Sequence, residues 1–451
     1  MASGRSRLTP RVREATWLVF VGIAVAAAYG TVFLSRQKVL SGDGLVWGGT
    51  FLALLLAAHL VVRRALPLAD PWLLPCAGLL TGLGITMVYR IKPELAPKQT
   101  AWFVVALAML AALVLLVRDH HVLERYKYVI GAGSVLALLV TVSPLGATVN
   151  GSQLWIDFGP MQIQPGEFAK LGIVVFLAAY LRENRELLSL TFSPKHLGPL
   201  VLFWLMSLGL LVLMNDFGSS LLFYGSFLLL VYVATGRAWY PLVGAGAFAA
   251  GAAFIYSTSG RIQERVDVWL DPWSRPETTG YQPLQALFAM SDGGLLGRGL
   301  GQAYVVGENG ATLIPDAQTD FIFAVIADEL GFVGAVGLLL LFVVFAWRGF
   351  AIAAACRDGF SKLLAFGLSA VFAMQAIIIV GGVVRLLPLT GQTLPFVSYG
   401  GSSLLANWLL VGLLLMVSHQ AAVEAAPTAL STTNSPEAGQ SVVASGGRGR
   451  R

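Results

Sequence analysis

The segment Pro315-Asp316-Ala317-Gln318-Thr319-Asp320-Phe321-Ile322-Phe323 runs from a long polar loop straight into an apolar stretch and leaves a carboxylate, Asp320, at the boundary. An ionised Asp near the middle of a spanning helix costs about 2.5 to 3.5 kcal/mol on insertion scales, and less towards the interface, so a carboxylate placed there is read first as functional. A second charged group follows the run Asn150-Gly151-Ser152-Gln153-Leu154-Trp155-Ile156-Asp157-Phe158-Gly159-Pro160, in Gln162-Ile163-Gln164-Pro165-Gly166-Glu167-Phe168-Ala169-Lys170. Pro165 suits the start of a helix, which puts Glu167 and Lys170 at i and i+3 on one face. Just inside a membrane such a pair faces the protein interior or a wet cavity. The alternative is an ion pair that pins two helices, with Trp155 as a plain interface anchor.

A third segment, Pro388-Leu389-Thr390-Gly391-Gln392-Thr393-Leu394-Pro395-Phe396-Val397-Ser398-Tyr399-Gly400-Gly401-Ser402-Ser403, opens the last apolar run. Its prolines interrupt any continuous helix, while Ser398, Gly400, Gly401 and Ser402 offer hydroxyls and backbone N–H groups beside a helix N-terminus, which favours an anion such as phosphate. A broken helix that packs closely through small residues is the competing reading. The loop over 257–318 is far longer than an ordinary helix connection, and Trp269, Trp273, Tyr281 and Met290 give it apolar anchors. Leu284, Leu287 and Phe288 are spaced for a short amphipathic helix on the membrane surface. Gly293-Gly294, Gly297, Gly299 and Gly301 then permit sharp turns or a close approach to a ligand. On one side of a membrane, these carboxylates with Lys170, Arg385 and a helix N-terminus suit a ligand with an anionic head and an apolar tail, such as a lipid-linked diphosphate. The chain shows no P-loop and no Asp-x-Asp pair, the equipment of a nucleotide-driven pump or a nucleotide-sugar enzyme.

The elements that must position these groups are membrane helices. Hydrophobic residues make up 56% of the chain and charged ones 12%, with a mean hydropathy of +0.74, more apolar surface than a soluble domain can cover. Runs long enough to cross the bilayer lie at 16–34, 44–63, 73–90, 100–117, 127–144, 166–181, 198–214, 217–235, 239–257, 319–346, 362–384 and 402–419, which predicts an all-α polytopic protein of about twelve spans with a large extracytoplasmic loop before the tenth. The net charge of +6 is scattered between apolar runs and forms no nucleic-acid patch. Its bias towards alternate connections predicts that both termini are cytoplasmic. The first run resembles a signal peptide but is too long for one, and reads as a retained helix. Residues 420–451 are rich in Ala, Ser, Thr and Gly, which predicts a disordered cytoplasmic tail. Cys76 and Cys356 predict neither a disulfide nor a thiolate metal site.

The run from Asn150 to Lys170, Gly280-Tyr281-Gln282, Gly293 to Gly301, Thr319-Asp320-Phe321-Ile322-Phe323 with Glu329-Leu330-Gly331, and Leu394-Pro395-Phe396 to Ser403 resemble, in order, the motifs of the shape, elongation, division and sporulation (SEDS) family. The ending through Ser402-Ser403-Leu404-Leu405-Ala406-Asn407-Trp408 is closer to its elongation (RodA) branch than to its division (FtsW) branch. The resemblance implies a ten-span core over 71–419, preceded by two added spans over 15–70 and a cytoplasmic N-terminus over 1–14. It implies a glycosyltransferase of the bacterial plasma membrane that polymerises lipid II into peptidoglycan strands beside a class B penicillin-binding protein.

Carried onto this chain, Asp320 would be the general base on the acceptor 4-hydroxyl. Lys170, oriented by Glu167, would meet the diphosphate, as would Arg385 by position alone. Trp155, Gln164, Thr319, Ser398, Tyr399, Gly400, Gly401 and Ser402 would contact substrate, with Asp216, Gln282 and Glu329 in support. No ligand set for a tightly held metal is visible, and a magnesium or manganese ion between carboxylate and diphosphate stays open. Gly166 stands where the family has Ser, Met214-Asn215-Asp216-Phe217-Gly218 replaces Gln-Pro-Asp-Leu-Gly, and Gly381-Gly382-Val383-Val384-Arg385 lacks a frequent Asn. Two other readings compete. A lipid II transporter would move substrate across vesicles without forming polymer, and a scaffold for a transpeptidase would tolerate Asp320→Ala.

Overall fold

The computed structural model describes residues 10–38, 43–149, 152–159, 162–186, 194–303 and 312–433. A backbone in hydrocarbon must satisfy its own hydrogen bonds, and the apolar runs accordingly fold as helices. In chain order these are α1 (Pro10–Gln37), α2 (Asp43–Ala65), α3 (Leu73–Ile91), α4 (Ala96–Leu116), the short α5 (His121–Arg125), α6 (Lys127–Val142), α7 (Pro165–Glu183), α8 (Pro194–Leu213), α9 (Phe217–Thr235), α10 (Trp239–Thr258), α11 (Gly260–Leu270), α12 (Tyr281–Gly293), α13 (Ile322–Ala355), α14 (Gly359–Val383) and α15 (Gly401–Thr433). Among the described residues, nine helices are long and apolar enough to cross a membrane. The expected twelve are not all reached by that measure. Lys127–Val142 and Trp204–Leu213 are apolar but short, and α7 carries Glu167, Lys170, Arg182 and Glu183.

α3, α14 and α15 form the centre, with most of their apolar windows buried, whereas the window of α10 is wholly uncovered and stands at the rim. The pair α1 and α2 lies against α3 and α4. Small residues let these helices approach closely. A Cβ on Gly82 of α3 would come within 2.4 Å of Val25, and one on Gly84, further along the same helix, within 2.5 Å of the Val397 carbonyl. α3 is therefore clasped between the α1–α2 pair and the segment that leads into α15. Ring contacts, stacked from Trp47 through Phe51 to Phe103 and then tilted and edge-on to Trp408 and Phe396, continue the contact.

The polar connections are ordered rather than slack. Strands β1 (Gly146–Val149), β2 (Ser152–Asp157) and β3 (Gln162–Ile163) form an antiparallel meander, with Ile156 opposite both Gly146 and Ile163. The expected Asn150-Gly151 and Gly159-Pro160 turns fall partly outside the described residues. The loop expected over 257–318 is largely helical, and the amphipathic helix read from Leu284, Leu287 and Phe288 is α12, with Leu284 buried and Phe288 exposed.

The glycine run after α12 has a structural task. α13 is broken at Gly331, whose φ of 69° and ψ of −170° are not helical, and the run supplies the hydrogen bonds the break removes. The N–H groups of Arg298 and Gly299 donate to the carbonyls of Asp328 (3.0 Å) and Glu329 (2.9 Å), while those of Phe332 and Val333 donate to Gly294 (2.9 Å) and Leu295 (3.1 Å). Any side chain on Gly297 would strike the Glu329 carbonyl. At the far end of the chain, α15 continues to Thr433, beyond the boundary at 420 where a disordered tail is expected. The remainder of that expected tail, residues 434–451, lies outside the described residues.

Candidate active site

The N-terminal ends of α4, α7 and α15, the β-meander, the α8–α9 turn, α11 and the turn before α13 surround one polar cavity of about 880 Å³. Asp320 sits on its wall in a run of tight turns. The N–H groups of Thr319 and Asp320 both donate to the Asp316 carbonyl, at 3.0 and 3.1 Å. The segment before α15 holds this turn from behind: Ser398 Oγ donates to the Thr319 carbonyl at 2.5 Å, and the Tyr399 N–H donates to the Gln318 carbonyl at 2.8 Å. Gly391, at φ 69°, brings its backbone alongside, so that a Cβ there would lie 3.8 Å from Asp320 Oδ2.

Asp320 is half-buried, and among the described residues no hydrogen bond stabilises its charge. Burial, reinforced by the neighbouring Asp316 carboxylate and only partly opposed by the Arg265 guanidinium, raises its pKa from an ordinary 3.8 to about 7. A carboxylate tuned to that range is an effective proton acceptor near neutral pH.

Two further carboxylates line the cavity. Asp216 caps α9 by accepting the Ser219 N–H at 2.9 Å, and Asn215, at φ 58°, makes the sharp turn that aims it. Burial raises the Asp216 pKa, Glu167 adds to the rise, and the bonds from Ser219 and Gln392 oppose it. Glu167 reaches the wall from the first turn of α7. Behind it, and not on the wall, Lys170 donates to Glu167 Oε2 at 2.5 Å and to Gln375 Oε1 at 2.8 Å. Gln375 donates in turn to the Thr393 carbonyl at 2.9 Å. Lys170 therefore fixes Glu167 and ties α7 to α14 and to the segment before α15.

Trp155, Gln164, Thr319, Tyr399, Gly400 and Gly401 also line the cavity. Ser398 and Ser402 sit behind it, Ser402 Oγ accepting the Gln164 N–H at 2.9 Å. Gly401, the first residue of α15, packs on the Trp102 ring, which a Cβ would meet at 2.4 Å. The remaining expected site residues lie elsewhere. Arg385 donates to the carbonyls of Trp269 (2.7 Å) and Leu270 (3.0 Å) at the end of α11. Glu329 pairs with Arg90 at 2.8 Å and accepts the Gly301 N–H at 3.0 Å beside the α13 break. Gln282 donates to the Pro315 carbonyl at 3.4 Å. These bonds tie all three side chains to the scaffold, and none of the three lines the cavity.

In place of Arg385, the cation on the wall is Arg265 of α11, with Lys98 of α4 across from the β-meander. Burial and the nearby Arg261 lower the Arg265 pKa, while Asp216 and Asp320 raise it. No sequence signal singles out Arg265 among the charged residues of α11, whereas Gln375, an amide inside an apolar run, carries one. Three polar atoms of wall residues, Gln318 Oε1, Gln392 Oε1 and Thr393 Oγ1, are buried without a hydrogen-bond partner among the described residues. Such atoms are costly unless a ligand meets them.

Arg265 and Thr390 also line a second, apolar groove of about 320 Å³, walled by α8, α9 and α10 together with Leu387, Pro388 and Leu389. A charged cavity and a greasy groove at the bundle's rim thus meet at an arginine.

A family model described as cell cycle protein (FtsW, RodA and SpoVE) matches residues 73–423, beginning where α3 begins. The chain is 40% identical over 434 residues to the peptidoglycan glycosyltransferase RodA of Mycobacterium tuberculosis, covering 92% of this chain and 91% of that one. It is 37% identical over 285 residues to the stage V sporulation protein E of Bacillus subtilis, covering 63% and 76%. Among solved structures, a chain described under the structural coordination of polymerization and crosslinking by a peptidoglycan synthase complex superposes with a TM-score of 0.65 at 29% identity, covering 78% of this chain and 98% of its own. The rod shape determining protein RodA of Thermus thermophilus superposes with a TM-score of 0.57, also at 29% identity, over 78% and 96%. With its helices, motifs and matched span in agreement, the chain is a multi-pass membrane protein of the FtsW, RodA and SpoVE family.

Proposed function

We propose that this protein is a peptidoglycan glycosyltransferase that polymerises lipid II during cell-wall elongation, with Asp320 as its general base. Asp320 takes the proton of the acceptor sugar's 4-hydroxyl, and the freed oxygen attacks the donor's anomeric carbon. The bond from that carbon to the diphosphate oxygen breaks, and undecaprenyl diphosphate leaves with the electron pair. General base catalysis contributes about 10² to 10⁴ in rate. Positioning and charge stabilisation supply the rest.

The observation that carries this reading is the junction at Arg265. A half-buried carboxylate lines a cavity large enough for sugars, and that cavity shares Arg265 and Thr390 with an adjoining apolar groove. A lipid-linked diphosphate has that sequence of chemistries: polar head, double negative charge, hydrocarbon tail. Arg265, with Lys98, takes the diphosphate role that the sequence suggested for Lys170 and Arg385. Asp320, Asp316, Asp216 and Glu167 all line the cavity and offer hard oxygen donors, the donor type that suits magnesium or manganese. Such an ion would neutralise charge on a departing diphosphate.

In this reading the cavity faces the outside of the bacterial plasma membrane and both termini are cytoplasmic, as the Lys and Arg distribution favours. A class B penicillin-binding protein is the partner, in keeping with the synthase complex to which the fold is similar. The test is polymerisation of labelled lipid II by the purified protein, with and without that partner, resolved on a gel. Polymer from wild type and none from Asp320→Ala supports the assignment. No polymer in either condition, or lipid II crossing vesicles without polymer, defeats it.

A further inference from the structure

At the end of the bundle opposite the cavity, about 30 Å away along α4, a polar cluster joins Asp119 and His120, between α4 and α5, and His121, the first residue of α5, to Asp358 and Ser361 at the start of α14. Its hydrogen bonds fix the imidazole tautomer of His120. Ser361 Oγ carries one proton and donates it to Asp358 Oδ2 at 2.9 Å, so at 2.6 Å it must accept from Nε2–H of His120. His120 then carries its lone pair on Nδ1, which lies 3.9 Å from Asp119 Oδ1, another acceptor. His121 repeats the pattern: its Nε2 donates to Asp358 Oδ2 at 3.2 Å, and its Nδ1 lies 2.8 Å from the same Asp119 oxygen. That oxygen also accepts the His121 backbone N–H at 2.9 Å.

Two imidazole nitrogens and a carboxylate oxygen thus point together, one ligand atom from each residue lying within 4.8 Å of the others. Each ring is held from behind by an oxygen that accepts its other N–H, as in metal-ligating histidines. Ligand atoms about 2.1 Å from a tetrahedral ion sit about 3.4 Å apart, and the separations here, 2.8 and 3.9 Å, lie on either side of that value. His120 is buried while Asp119 is exposed, which leaves solvent to complete the coordination.

We infer that Asp119, His120 and His121 form a binding site for a divalent transition metal of the zinc class, separate from the catalytic cavity. Two nitrogen donors disfavour magnesium and calcium. The bound ion clamps the turn after α4 to α14 through Ser361 and Asp358, and Asp358 lies 3.9 Å from Arg182 of α7, which also pairs with Glu124.

The test uses the full-length protein in detergent, stripped with a chelator and titrated calorimetrically with zinc chloride and separately with magnesium chloride. Wild type binds a single equivalent of zinc, cobalt substitution gives ligand-field bands in the visible, and zinc raises the unfolding temperature. Ser361→Ala, which removes a supporting oxygen, weakens zinc binding by about 10 to 100-fold. His121→Gln and Asp119→Asn, checked for folding by size-exclusion chromatography, abolish the binding and the zinc-induced thermal shift together. Absence of zinc binding to wild type, or full binding to His121→Gln, overturns the site and leaves a proton on His121 as the bridge between the two carboxylates.

Discussion

The position of Asp320 between Asp316 and Arg265 makes the pH dependence of polymerisation a direct test of its role. The folded pKa of about 7 is set by burial, raised further by Asp316 and held down by Arg265. The base acts as the carboxylate, so kcat/KM should rise with pH and level off above about 7. One unit below the pKa roughly one-tenth of the sites are ionised, a loss of about 1.4 kcal/mol in driving force and about tenfold in rate. Asp316→Asn removes a like charge and moves the acidic limb to lower pH, so at pH values below the wild-type limb this variant outpaces wild type relative to its own plateau. Arg265→Gln moves the limb the other way. The assay is the initial rate of polymer formation from subsaturating labelled lipid II, with the transpeptidase partner present and a series of overlapping buffers. A limb that stays in place in each of the two single variants, or one near the ordinary Asp value, would refute Asp320 as the titrating base.

The same shift has a stability consequence of opposite sense. The folded state holds the Asp320 proton more tightly than the unfolded chain, so its contribution is most favourable below the ordinary pKa of 3.8 and is lost as pH rises towards about 7. Asp320→Asn should therefore unfold at a higher temperature than wild type in detergent above pH 7, while making no polymer. Gly401→Ala should cut activity by driving a methyl group into the Trp102 ring, and Trp102→Ala in the same chain should restore part of it, measured as polymer yield. Lys170→Met alone leaves Glu167 buried without its partner and should cost about 3 to 5 kcal/mol in detergent unfolding, whereas Lys170→Met with Glu167→Gln should cost less. Arg385→Ala should lower thermal stability by releasing the end of α11 with little change in KM for lipid II, and Arg265→Ala should raise that KM.

Much of the site was legible because membranes make polar residues conspicuous. Asp320, Glu167 and Asp216 stand out against apolar runs, and all three reach one cavity. The misplacements have a common origin. Lys170, Arg385 and Glu329 are as conspicuous as Asp320, but a buried charge serves equally well as a pin, and only hydrogen-bond partners distinguish the two uses. Arg265 escaped notice because it sits in a helix with other charged residues, where solvation is the default explanation. The glycine run was open between ligand contact and turn-making until the break at Gly331 supplied its partner.

The sequence by itself determined that this chain is a helical membrane protein, where its chemistry concentrates and to which family its motifs belong, because burial in lipid forces apolar length and penalises every stray charge. Only the tertiary structure decided which charges face a cavity and which hold the scaffold. That choice depends on contacts between residues far apart in the chain, such as Thr319 with Ser398 or Lys170 with Gln375, which no local spacing encodes.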